Sequence, residues 1–141
     1  MGTVYAEITL KSVRDEGYAQ GGHIKPEEIR TATVEAVVDT GSMRVVITEE
    51  LRQKLGLAIT GEKPVRTANG QRVAGKITEA VDILWKNRSV ILEPMVLPGA
   101  KNILMGAMVL EGMDLMVNPV TQELVGVHGD QEEFLCVGLY E

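Results

Sequence analysis

Asp39 is the residue on which chemistry could be built. It sits in the stretch EAVVDTGSMRVVIT, Glu35 to Thr48, directly after the small and branched apolar run Ala36, Val37 and Val38. An ionised carboxylate ending a strand that reads as buried is disfavoured unless something compensates it, so its presence there suggests a use. Turn chemistry alone gives a plainer account, a loop aspartate accepting backbone hydrogen bonds. The rest of the chain offers little competing chemistry. His23 and His128 lie in polar stretches beside glycines, with no partner at metal-ligand spacing, and read as surface residues. Cys136 has no base beside it in the sequence and reads as a small apolar residue. No zinc pattern, phosphate-binding glycine loop or nucleophile elbow occurs, so neither a metal nor another cofactor is expected.

The totals limit the partners. A chain of 141 residues, 45% hydrophobic and 24% charged, has the composition of one folded domain able to bury a core unaided. A net charge of -6 without a visible basic stripe argues against nucleic acid. No apolar run approaches the length that spans a bilayer, and the opening MGTVYA has Ala6 where a myristoylation signal wants Ser or Thr. One cysteine rules out an internal disulfide framework, and a cytoplasmic protein with no membrane partner is expected. Glu27, Glu28, Glu132 and Glu133 read as solvated surface.

The elements that must position Asp39 are mainly β. Val4, Ala6, Ile8 and Leu10 alternate with polar neighbours in a first strand. Residues 14–30 turn polar and glycine-rich and read as a long solvated loop. A second strand, Thr33 to Val38, leads to Asp39, and a short strand, Val45 to Ile47, follows. Thr48 then fits the N-cap of a helix that ends at Gly56, with Leu51 and Leu55 on its apolar edge. Asn69-Gly70 suits the two central positions of a type I′ hairpin turn. A second hairpin is expected to turn at Lys86-Asn87, joining Ile77–Trp85 with Ser89–Leu97, and Trp85 reads as a packing anchor. Ile103–Met105 forms a further strand, broken by Gly106 ahead of a helical turn around Met108–Leu110. Asp114–Val117 and Gln122–Val127 read as a closing pair. The apolar end, Phe134 to Tyr140, suits an added strand or a covered sheet edge.

Asp-Thr-Gly alone recurs by chance in roughly a few per cent of chains this size. Its setting here, Val37-Val38-Asp39-Thr40-Gly41-Ser42 after an apolar strand and ahead of a helix, then a hairpin, then Ile103-Leu104-Met105-Gly106, resembles the retroviral-type (retropepsin-like) aspartic proteases and their small bacterial members. The resemblance covers most of Val34 to Val125 and implies a mainly β fold, a retropepsin-like closed β-barrel or acid-protease half with one or two short helices. Residues 1–141 would form a single such domain, with 14–30 as an inserted loop and 128–141 as a C-terminal extension.

The resemblance also implies an activity. Peptide hydrolysis by this route needs one carboxylate to take a proton from water and one carboxylic acid to polarise the carbonyl. One chain supplies one such residue, so catalytic Asp39 would act in a homodimer, where two carboxyls about 3 Å apart share one proton. Gly41 would permit the tight turn, Thr40 would bond across the dimer, and Ser42 would orient the outer carboxylate oxygen. Ala68, Asn69, Gly70 and Gln71 would form a flap over an extended peptide or protein substrate, although their turn chemistry equally fits a plain hairpin. Ile103, Leu104 and Gly106 would pack behind the active-site loop. Two positions depart from the retroviral pattern. Met43 and Ala107 stand where an acidic residue and an arginine often pair. A noncatalytic peptide-binding or dimerisation module with the same fold is the alternative.

Overall fold

The structure, a computed structural model, describes residues 3–131 and Gly138. Glu132, Glu133, Cys136 and the rest of the 134–140 stretch except Gly138 lie outside the described residues. Eleven strands and three α-helices are present among those described. Nine strands form one curled half-barrel sheet in the order β4-β5-β8-β3-β9-β2-β1-β6-β7. The expected mainly β, acid-protease-half architecture is the one observed.

β1 (Val4–Ser12) buries Ala6, Ile8 and Leu10 while Tyr5 and Glu7 face out, as the alternation predicts. It pairs antiparallel with β2 (Thr31–Val38) from Val4↔Val38 to Lys11↔Thr31. β3 (Val46–Ile47) leads into α2 (Glu49–Leu55). There the Thr48 side chain accepts a hydrogen bond from the Leu51 amide at 3.1 Å, and Gly56 closes the helix at φ 64°. Leu51 and Leu55 turn inward and join Ile8, Leu10, Ala36, Ile47, Ile83 and Met105 in one core.

Residues 14–30 do not form the loop the sequence suggests. Val13–Gln20 is a helix, α1, and Pro26–Glu28 a single 3-10 turn. Local propensity hid this, because Gly17 interrupts the helix and no apolar stripe marks it. A local cap and a tertiary ion pair hold it. The Ser12 hydroxyl caps the Asp15 amide at 3.2 Å, and the Asp15 carboxylate, buried, receives Arg30 Nε at 2.8 Å, Nη2 at 2.9 Å and the Arg30 amide at 2.9 Å. Hydrogen bonding from the Arg30 guanidinium holds the Asp15 carboxyl down to about 2, against an ordinary 3.8. Arg14 Nη2 reaches the Gly56 carbonyl at 3.0 Å, tying α1 to the end of α2.

The β4 (Ile59–Arg66) and β5 (Arg72–Thr78) hairpin stands at one edge of the sheet. The long arms expected around Lys86-Asn87 are each divided. Ile77 and Thr78 end β5, while Val81–Trp85 is a separate β6, because β5 pairs with β4 and β8 whereas β6 pairs with β1 and β7. Likewise β7 (Arg88–Leu92) and β8 (Met95–Val96) are split at Glu93-Pro94. The turn itself is where it was expected, between Trp85 and Arg88. β9 (Ile103–Met105) precedes α3 (Ala107–Gly112), and β10 (Leu115–Asn118) pairs with β11 (Glu123–Gly126) in a small second sheet.

Arg88 is buried at the far side of the core. Its Nη1 donates to the carbonyls of Met113 at 2.8 Å and Asp114 at 2.7 Å, and its Nη2 to Gly129 at 2.5 Å, satisfying the chain end of α3. His128, half-exposed, contacts the Asp114 carboxylate at 2.9 Å and so is tied to this corner. No helix among the described residues is long and apolar enough to cross a membrane.

Candidate active site

β9 lies between β2 and β3. It runs parallel to β2, with Ala36↔Ile103, Val37↔Leu104 and Val38↔Met105, and antiparallel to β3 at Val46↔Leu104. The chain leaving β2 must therefore cross the end of β9 to reach β3. The crossing is the segment 39–45, with Asp39 at its start.

Each step of that crossing is tied to what lies behind it. The Asp39 amide donates to the Met105 carbonyl at 3.1 Å, extending the β2–β9 ladder by one residue. The Ser42 amide donates to the Asp39 carbonyl at 3.1 Å, and the Gly41 amide to Asp39 Oδ1 at 3.0 Å. From the start of α3, the Ala107 amide reaches the Ser42 carbonyl at 2.7 Å and the Met108 amide the Met43 carbonyl at 3.0 Å. Two amides that a helix start leaves without intrahelical partners thus fasten the loop.

Gly106 makes this approach possible. A Cβ there would lie 2.4 Å from the Arg44 carbonyl oxygen and 2.6 Å from that of Ser42, closer than any side chain tolerates. The run Ile103-Leu104-Met105-Gly106 therefore serves two ends. Met105 is fully buried and Ile103 packs against the core, while Gly106 lets the Asp39 loop lie directly on the backbone. Leu104, half-buried, pairs with both neighbouring strands.

Asp39 itself is half-exposed in the single chain, as are Val37 and Val38, so the strand end is not the buried position the sequence suggests. β2 is paired with β1 along its length and with β9 at Ala36–Val38, and Val38 packs against the core while remaining half-exposed. Thr40 and Gly41 are exposed. Ser42 meets Asp39 through its amide, and among the described residues its hydroxyl makes no hydrogen bond to the carboxylate.

The hairpin tip forms around the expected residues with a different turn. The Thr67 amide bonds the Gln71 carbonyl and the Gly70 amide the Thr67 carbonyl, each at 2.9 Å, which leaves a three-residue loop, Ala68–Gly70. Only Gly70 takes a positive φ, 84°, whereas a type I′ turn needs two such residues. Asn69 avoids it because its side-chain oxygen already accepts from the Gln71 amide at 3.3 Å and from the Thr67 hydroxyl.

Facing the tip is Leu97–Ala100, a turn the sequence reading passed over. Ala100 bonds back to Leu97 at 3.1 Å with Gly99 at φ 73°. The signal was available in Pro98-Gly99, the pair that suits the central positions of a type II turn. With Thr67, Ala68, Asn69, Gln71 and Val73 this turn walls a hollow of about 460 Å³. A larger hollow of about 770 Å³, between β1 and the tip of the β10–β11 hairpin, includes no residue of the Asp39 loop or of the β4–β5 tip. Among the described residues no hydrogen bond joins the hairpin tip to the Asp39 loop, and no group of three or more His, Cys, Asp and Glu is placed to hold a metal.

Residues 26–127 match the family described as aspartyl protease, a span that contains the whole crossing, the hairpin and α3. This chain belongs to that family. Among solved structures, the EIAV protease complexed with the inhibitor HBY-793, a retroviral protease, is similar in fold. Its TM-score is 0.54 at 14% identity, over 78% of this chain and 86% of that one. A search of curated proteins returned no match. In this aspartyl protease chain, Met43 and Ala107, which stand where the retroviral pattern often places an ion pair, each take part in a backbone bond to the other's neighbour, the Ala107 amide donating to the Ser42 carbonyl and the Met43 carbonyl accepting from the Met108 amide.

Proposed function

We propose that the protein is an aspartic endopeptidase that works as a homodimer in the cytoplasm, with Asp39 of two copies activating one water against a peptide carbonyl. The reading rests on the position of Asp39, a half-exposed carboxylate on a loop that is bonded within itself and fastened from behind to β9 and α3, with Thr40 and Gly41 exposed beside it. One carboxylate cannot act as base and acid at once, and the chain supplies one such loop. A twin copy facing it would give two carboxyls holding a single proton and would also supply the burial the single chain lacks. Thr40 and Gly41 are exposed for that meeting, and Ser42 fixes the turn through its amide.

Ala68–Gln71 would close over an extended peptide, with Leu97–Ala100 as the opposite wall. The whole of 1–141 would act as a single domain, 128–141 being an extension of it. The test is cleavage of an unfolded protein substrate at acidic and alkaline pH by wild type and by Asp39→Asn. The wild-type rate should fall on the alkaline side, where the shared proton is lost, and the variant should lose about a thousandfold with an unchanged melting point. A variant that cuts as well as wild type sinks the reading.

One observation favours the alternative, a noncatalytic peptide-binding or dimerisation module. Met43 is 68% exposed and carries no charge where a pairing acid would brace a dimer. Peptide bound but never cut across the acidic range would select it.

A further inference from the structure

We propose that the outer face of the β4–β5 hairpin docks acidic peptide segments through Arg66 and Arg72. As a rule for choosing substrates this rests on the endopeptidase reading. As a binding surface it does not.

The hairpin reverses the charge of the molecule. In a chain of net charge -6, it carries Lys63, Arg66, Arg72 and Lys76 against Glu62 alone. Two of these cations are set directly opposite each other, since Arg66 pairs with Arg72 in the last rung before the tip. Like charges in facing positions repel and weaken a hairpin. Both residues are exposed, and among the described residues neither has a carboxylate within ion-pair distance. A bound carboxylate would relieve the repulsion, and paired guanidiniums suit bidentate capture of one.

Side-chain alternation defines the rest of the surface. Val65, Val73 and Gly75 face the body, where a Cβ on Gly75 would touch Met95 Sδ at 2.7 Å and Val65 Cγ2 at 2.9 Å. Arg66, Arg72, Pro64, Ala74, Glu62 and Lys76 therefore share the outer face. Exposed Pro64 and Ala74 make an apolar step beside the arginines, next to a shallow hollow of about 390 Å³ that Arg72 also lines. This fits an apolar side chain adjacent to an acidic one. β4 is an edge strand, but Pro64 has no amide to give a new neighbour, so capture would run through side chains and not strand addition. A peptide fits better than nucleic acid because four cations on a narrow hairpin cannot track a phosphate backbone past an acidic body.

The experiment uses the full chain carrying Asp39→Asn, so that binding is read without cleavage. Fluorescence anisotropy compares a labelled peptide of alternating valine and glutamate with its glutamine counterpart and with a single-stranded oligothymidylate. The glutamate peptide should bind about tenfold more tightly than the glutamine one. Added salt should shrink that advantage. Arg72→Glu should abolish it while raising or preserving the melting point, because it places opposite charges across the rung. Arg66→Gln should reduce it by itself, covering the case in which the first variant misfolds. Equal affinity for the two peptides overturns the proposal, as does an advantage that survives both variants or tighter binding of the oligonucleotide. An inactive wild-type enzyme that still prefers the glutamate peptide would remove the endopeptidase reading and leave the docking surface standing.

Discussion

The Asp39 crossing and the β4–β5 hairpin are built on opposite terms. At the crossing, four backbone hydrogen bonds of 2.7–3.1 Å and one from the Gly41 amide to the Asp39 carboxylate hold residues 39–43 to one another and to β9 and α3, and the strand beneath ends in fully buried Met105. Along β4 every residue but Val65 is exposed, and the tip is held by bonds among Thr67, Asn69, Gly70 and Gln71 alone. The difference suits the two tasks proposed for them within one sheet. A reacting carboxylate would have to be fixed to a fraction of an ångström, which a loop clamped from behind provides. A cover would have to open at low cost, which few contacts outside itself permit.

Breaking the clamp should have the largest effect. Gly106→Ala drives a methyl group onto the Arg44 and Ser42 carbonyls of the loop itself, and the Ser42 carbonyl cannot move away without undoing its hydrogen bond from the Ala107 amide. A loss of about 3 kcal/mol in urea unfolding is expected, with faster hydrogen exchange at Asp39 and Ser42. If the variant unfolds within about 0.5 kcal/mol of wild type, the crossing is not the rigid half of the molecule.

α1, fastened through Asp15 and Arg30, should behave as part of the firmly held body, and pH tests that. The folded-state pKa of Asp15 is lowered to about 2 from 3.8, so the stability it contributes is present above the unfolded value and lost as pH falls from there through about 2. The loss should reach about 2 kcal/mol and should vanish in Arg30→Gln. Exchange at the amides of the β4–β5 tip should not follow the same pH dependence. A tip that loosens in step with Asp15 protonation would mean that the two regions are one cooperative unit.

How far the sequence could be read follows the same division between local and tertiary causes. β1, α2 with its Thr48 and Gly56 caps, Ile103–Met105 and the closing β10–β11 pair were legible because each rests on alternation or on a capping residue within a few positions. α1 was not, since its stability comes from Arg30, fifteen residues beyond Asp15. Arg88 was invisible for the same reason. A charge reads as surface until the carbonyls of Met113, Asp114 and Gly129 are brought around it. At the site, the order of Asp39 and Gly106 could be read, but not the crossing that makes Gly106 necessary, nor the exposure of Asp39. The tip was placed correctly, but its turn type was not, because the Asn69 side chain competes with the backbone conformation its neighbour favours.

The mildest test makes the same glycine-to-alanine change in the other region. A Cβ at Gly75 meets Met95 Sδ at 2.7 Å and Val65 Cγ2 at 2.9 Å, a similar degree of overlap to that at Gly106 but against the ends of side chains. Met95 can swing its unbranched chain aside, and alanine loses less backbone entropy on folding than glycine does, so the two effects oppose each other. Gly75→Ala should therefore cost no more than about 1 kcal/mol, well below the value for Gly106→Ala. Its main trace should be faster exchange in β4 and β5, as the root of the hairpin lifts from β8, with the amides of 39–43 unchanged. Equal destabilisation by the two substitutions would show that overlap distance alone sets the cost and that the β4–β5 hairpin is packed as firmly as the Asp39 crossing.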